Sequence, residues 1–275
     1  MSVPYILKVI QIAYSVVLSF ILSVIPFPNA PAIQMNLVYA EASERNVMDV
    51  YYPANVGDEA NAILYIHGGS WTGGDKITYA PECLEMAKKG YVTATMSYRF
   101  AELPHEERAA EFDNMVEDIA NAIKALDKKM RADGITPKKL VICGVSAGGH
   151  LTLLYGYKHA ADSAIPIAFL APDVAPIAYF NYFNLPNANP LTYVKADSPP
   201  TLARYSGPLD TLVPAADNEP LLADALTALG VPYDMFYYEN SEHFPFSIGR
   251  WPGTDYKVHQ EYLAMFAEYC VTYLP

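Results

Sequence analysis

The chain opens with an almost unbroken apolar stretch, residues 9–25, that follows Lys8 and ends at Pro26, Phe27 and Pro28. Beyond it, short apolar runs alternate with longer stretches of helical period. Residues 35–39 and 47–52 read as two strands, and the polar Glu41-Ala42-Ser43-Glu44-Arg45-Asn46 between them predicts an antiparallel hairpin. Residues 62–66 are continuously apolar, as a strand buried on both faces of a parallel sheet must be, and run directly into His67-Gly68-Gly69. A helix over 81–89 is stopped by Gly90, and a strand over 91–98 follows. Phe112, Met115, Val116, Ile119, Ile123 and Leu126 recur at helical spacing and predict a helix over 108–132. Further strands are expected at 140–143, 165–170, 201–205 and 233–238, with helices at 221–229 and 256–273. This alternation predicts an α/β fold: a mostly parallel central sheet, opened by an antiparallel hairpin and covered by helices on both faces. Residues 175–200, rich in Tyr, Phe, Asn and Pro, break the rhythm and read as a small lid-like insertion.

Composition narrows the picture. With 275 residues, 52% of them hydrophobic, the chain buries one substantial core, so residues 31–275 are expected to form a single catalytic domain. A net charge of −12 without a Lys/Arg cluster argues against a nucleic-acid partner. Cys83, Cys143 and Cys270 lie far apart and show no ligand spacing, so neither a metal site nor a disulfide framework is implied. Residues 1–30 suit a signal peptide or a membrane anchor, which points to a secreted, periplasmic or membrane-anchored protein with possible association through 9–25. The competing reading is an amphiphilic helix that packs on the domain, or covers its active site, in a cytoplasmic protein.

The candidate chemistry sits at the ends of the expected strands. Gly144-Val145-Ser146-Ala147-Gly148 follows an apolar strand and precedes a helical stretch, the context in which a sharp turn exposes a serine hydroxyl. A hydroxyl needs a base to become a nucleophile, and a histidine base needs a carboxylate to hold its tautomer. His243 and Asp210 each lie in a loop just after a strand, and the order Ser146, Asp210, His243 is the one this topology requires. Asp173, Asp217, Glu239 and Glu242 are rival acids; His105, His150, His159 and His259 are poorer bases, lying in a polar loop or on helices. Backbone N–H groups of Gly68, Gly69 and Ala147 are candidates for an oxyanion hole. Trp71, Tyr179 and Phe183 are candidate substrate-binding residues, although aromatics there serve equally to pack the insertion.

Ile66-His67-Gly68-Gly69-Ser70-Trp71 with Gly74-Asp75-Lys76, Ser97-Tyr98-Arg99, Gly144-Val145-Ser146-Ala147-Gly148-Gly149-His150, and Asn189-Pro190-Leu191-Thr192-Tyr193 before Ser198-Pro199-Pro200 occur in order. The set resembles the bacterial esterase branch of the α/β-hydrolases, the hormone-sensitive-lipase-like and acetyl-esterase-like proteins, from about residue 35 onward. That resemblance implies a cofactor-free hydrolase of small-molecule carboxylic esters, with Ser146 as nucleophile, His243 as base, Asp210 as acid, and Gly68, Gly69 and Ala147 as oxyanion donors. Ser70 departs from it, standing where many relatives have a third glycine. The small size of the remaining loops favours short, acetyl-like acyl groups. An amidase, arylformamidase or peptidase using the same residues, a membrane-attached lipase, and a non-catalytic binding protein of this fold are the alternatives. The oligomeric state is not legible in the sequence.

Overall fold

The structure is a computed structural model that describes residues 12–14, 16–21, 31–102, 109–239, 243 and 254–274. Eight strands form one sheet: β1 (Ala32–Val38), β2 (Val47–Tyr52), β3 (Glu59–Ile66), β4 (Val92–Met96), β5 (Thr136–Val145), β6 (Ile167–Asp173), β7 (Thr201–Ser206) and β8 (Tyr233–Tyr238). Their spatial order is β1-β2-β4-β3-β5-β6-β7-β8. β1 and β2 pair antiparallel, as does β2 with β4, and every other neighbouring pair is parallel. The helices are α1 (Ala80–Lys88), α2 (Ala109–Ala132), α3 (Ala147–His159), α4 (Ala178–Tyr182), α5 (Ala215–Leu229) and α6 (Thr254–Tyr273).

The alternation of side chains along β3 explains the layers. Ala62, Leu64 and Ile66 face one core with Phe112, Met115, Ile119 and Leu126 of α2 and Leu151 and Leu154 of α3. Ile63 and Tyr65 face the opposite core, with Cys83 and Leu84 of α1 and Phe266 and Tyr269 of α6. Each fully buried Leu, Ile or Phe contributes about 1.5–3 kcal/mol, so a central strand apolar on both faces is the energetic centre of the domain.

Most element boundaries shift by a few residues from the sequence expectation, and two of the shifts have a clear physical reason. β5 starts at Thr136, four residues before the apolar run, because its first residues pair with Glu59 and Ala60 while alternating between exposed and buried. α5 starts at Ala215 and runs through Pro220, a residue that reads as a helix boundary in sequence.

Of the N-terminal apolar stretch, residues 12–14 and 16–21 are helical, and the remainder of 9–25 lies outside the described residues. Ser19 is buried with its hydroxyl 3.4 Å from the Tyr51 hydroxyl, and Leu18 packs against the core beneath α1 and α6. Tyr14, Val17 and Phe20 are exposed. Among the described residues no helix is long and apolar enough to cross a membrane.

Candidate active site

The register of the central strands assembles the site. Ile66 of β3 lies opposite Gly144 of β5, so the chain leaving β3 as His67-Gly68 runs beside Val145-Ser146. Val145 lies opposite Asp173 at the end of β6. The Ser146 N–H donates to the Asp173 carbonyl at 2.8 Å. Ser146 itself sits at φ 56°, ψ −121°, outside the usual regions for an L-residue, and α3 begins at the next position. This bend requires glycine at 148, where a Cβ would stand 2.1 Å from the Ile66 carbonyl oxygen. The Ser146 hydroxyl makes no capping bond to α3 and is free to be engaged elsewhere.

β7 and β8 end side by side, Ser206 opposite Tyr238, and release the loops carrying Asp210 and His243 at the same sheet edge. The Ser146 Oγ lies 2.9 Å from His243 Nε2. His243 Nδ1 lies 2.9 and 3.1 Å from the two Asp210 carboxylate oxygens. With Nδ1–H donating to the carboxylate, Nε2 is left to accept the serine proton, the tautomer that general-base chemistry needs. Burial pushes the Asp210 carboxyl up, but the bonds from His243 and from the N–H groups of Val213 and Leu212 outweigh it and hold the group below its ordinary value.

The other acids are placed differently. Asp173 is buried and pairs with Arg204 at 2.5 Å. Burial pushes its carboxyl up to about 6 against the opposing pull of Arg204. Asp217 lies in the first turn of α5, and Glu239 is exposed just after β8. His159 ends α3 and His259 lies within α6. His105 and Glu242 lie outside the described residues.

The loop after β3 lies directly on the elbow. A Cβ on Gly68 would meet the Val145 carbonyl oxygen at 2.8 Å and the Ser146 Cβ at 3.2 Å. Gly69, Ser70 and Trp71 all have positive φ, and the N–H groups of Thr72 and Gly73 both donate to the Gly69 carbonyl. Ser70, the departure from the glycine pattern, is thus held in a conformation that costs a side chain about 1 kcal/mol or more. The loop is clamped from behind. His67 Nδ1–H donates to the Gly68 carbonyl at 2.7 Å, and its ring stacks on Tyr98 with centroids 4.3 Å apart. Burial pushes His67 down to about 4, so it is neutral. Arg45 donates to the Tyr98 and Gly74 carbonyls, and Lys76 forms a buried ion pair with Asp49 at 2.7 Å.

Trp71 is enclosed, with its indole N–H donated to His150 Nδ1 at 3.1 Å. Its ring lies 5.1 Å from that of Tyr179, which in turn lies 4.7 Å from Phe183. The insertion is anchored by Asn218, whose side-chain oxygen accepts from the N–H groups of Ile177 and Ala178. Sequence reasoning did not find His67, Arg45, Asn218 or the role of His150. Only His67 and His150 carried a signal, each standing inside a glycine motif. Among the described residues no group of His, Cys, Asp and Glu is arranged to hold a metal ion, and the three cysteines are buried and free.

A strand, a strained serine, a helix, and a carboxylate and imidazole on the following strand ends define the α/β-hydrolase fold. The comparisons with known proteins narrow this. The BD-FAE family model matches residues 48–172. A rice protein described as a probable isoprenylcysteine alpha-carbonyl methylesterase is 25% identical over 76% of this chain and 56% of its own length. Esterase B of Lactobacillus rhamnosis superposes with a TM-score of 0.71 at 18% identity, covering 98% of this chain and 96% of that one. The butyrate-bound esterase 2 of Thermogutta terrifontis gives 0.68 at 22% identity, covering 89% and 94%. The chain has the α/β-hydrolase fold, and the relatives and structural neighbours it is similar to are esterases. It spans about half the length of the curated relatives it matches.

Proposed function

We propose that the protein is a serine carboxylesterase acting on short-chain, acetyl-like esters through an acyl-enzyme. The observation that carries this is the unbroken chain from the Ser146 hydroxyl through His243 to Asp210, with both contacts at 2.9 Å. Ser146 Oγ attacks the ester carbonyl as His243 Nε2 takes its proton, and Asp210 stabilises the imidazolium. The negative oxygen of the tetrahedral intermediate is met by the N–H groups of Gly68, Gly69 and Ala147, each worth about 2.7–4 kcal/mol in comparable sites. The intermediate collapses as His243 returns the proton to the departing alcohol. Water then attacks the acyl-enzyme by the same route and frees Ser146. The esterase names of the relatives support the ester as substrate. Butyrate in a structural neighbour supports a short acyl group.

The test is a rate series on p-nitrophenyl esters of increasing acyl length, with Ser146→Ala as the blank. Turnover of acetyl and butyryl esters that falls with chain length and vanishes in Ser146→Ala is expected. An undiminished Ser146→Ala rate would overturn the mechanism. Cleavage of anilides but not esters would replace the esterase by an amidase.

A further inference from the structure

We infer that His150 is a positioning residue that couples the insertion at 175–200 to the oxyanion loop, an inference that rests on the hydrolase reading above. His150 stands one turn into α3, and its N–H donates to the Ser146 carbonyl at 3.0 Å. Its two ring nitrogens face opposite ways. Nδ1 accepts the indole N–H of Trp71 at 3.1 Å, which fixes the ring proton on Nε2. Nε2 in turn donates to the Ala188 carbonyl at 2.8 Å. One fully buried ring therefore bonds to the loop that lies over the elbow and to the segment that folds across it.

Both ends of this link are built to transmit a displacement. Ser70 and Trp71 hold left-handed backbone without being glycine, a conformation that persists only where the surroundings impose it. Trp71 is gripped by the His150 bond and by the N–H of Ala101 on its carbonyl at 2.8 Å. On the other side, Ala188 is fully buried and belongs to a cross-linked unit. Asn189 donates to the Asn181 side chain, and the Thr192 and Tyr193 hydroxyls donate to the carbonyls of Pro186 and Asn187. Phe180 stacks on the His150 ring with centroids 4.0 Å apart, which fixes the plane in which both bonds lie. A neutral imidazole accepts on one side and donates on the other. Asparagine reaches only the Trp71 position and glutamine only the Ala188 position.

The test uses His150→Phe, His150→Asn, Trp71→Phe and the double variant Trp71→Phe/His150→Phe on p-nitrophenyl acetate, after wild-type turnover and fluorophosphonate labelling of Ser146 have been measured. Losing the link is expected to lower kcat by about tenfold to a hundredfold with KM held within about threefold, the signature of misplaced transition-state donors. Trp71→Phe should lose as much as His150→Phe, and the double variant no more than either. His150→Asn, which keeps the Trp71 acceptor, should recover most of the rate. A kcat in Trp71→Phe within about twofold of wild type, or losses that multiply in the double variant, overturns the inference. If His150→Phe does not fold, Trp71→Phe and His150→Asn decide the matter alone. A wild-type protein that neither turns over esters nor takes the label overturns the hydrolase reading and this inference with it. An active wild type with unimpaired variants overturns this inference only.

Discussion

Gly68→Ala isolates the loop after β3, the proposed oxyanion loop, from the rest of the machinery. The added methyl would sit 2.8 Å from the Val145 carbonyl oxygen and 3.2 Å from the Ser146 Cβ. The elbow cannot yield, because β5 is paired on both sides there, so the loop must lift. Reaching ordinary contact requires a shift of about 0.6 Å, the gap between the 2.8 Å found and the 3.4 Å at which such contacts become ordinary. That distance is enough to lengthen an N–H···O⁻ bond past its useful range. One oxyanion donor is worth about 2.7–4 kcal/mol, so kcat should fall by roughly a hundredfold or more while KM stays nearly constant. Overpacking costs about 1–3 kcal/mol, which at roughly 2–4 °C per kcal/mol lowers the melting temperature by several degrees without unfolding the protein at 25 °C. Steady-state kinetics on p-nitrophenyl acetate and a thermal melt on the same preparation read both numbers. A folded variant whose kcat is within about threefold of wild type would show that the Gly68 amide does not meet the oxyanion.

Three other outcomes follow from the geometry. Asp210→Asn keeps the shape of the carboxylate but presents the wrong tautomer to His243, so kcat should drop by about 10⁴ with the fold preserved; a loss under about tenfold would point to another acid. Asn218→Ala strands the N–H groups of Ile177 and Ala178, which should cost about 1–3 kcal/mol and expose 175–200 to proteolysis; unchanged cleavage there would contradict the anchoring role. The third outcome concerns acid. His67 and His150 are buried neutral at about 4 and about 3, below the ordinary 6.5, so unfolding takes up two protons between pH 6 and 4. Asp173, raised from 3.8 to about 6, is protonated when folded and releases one on unfolding in the same window. These three groups take up one proton net, a contribution that makes stability fall by about 1.4 kcal/mol per unit as pH drops from 6 to 4, and the lowered His159, Asp210 and Asp133 act in the same direction; urea unfolding at both ends that showed flat or rising stability would refute this.

The parallel sheet was legible because its strands are buried on both faces and leave continuous apolar runs such as 62–66. That Ser146, Asp210 and His243 come together was legible because strand-end loops are where a parallel sheet delivers side chains to one edge. What sequence could not show is contact across the chain. Arg45 reaches Tyr98 and Gly74, and Asn218 reaches Ile177, through pairings fixed only by tertiary structure. In sequence His150 is a poor candidate base because it lies on a helix. A ring that spends both nitrogens on structure leaves no mark in the sequence. Trp71 reads in sequence equally as a pocket aromatic or as packing for the insertion, and its ring is enclosed by Phe112, His150, Tyr179 and Phe180.

The elbow is stitched to β3 and β6 on either side of β5, so the strands that fix the serine are all made by residue 173. The imidazole that its hydroxyl meets, that of His243, lies 97 residues beyond the serine. At about 5–20 residues per second, a ribosome needs roughly 5–20 seconds to cover that distance. During that interval the growing chain holds its hydroxyl without the partner that would activate it. Under the proposed mechanism the protein therefore acquires its reactivity late, when most of the surrounding fold has already been synthesised.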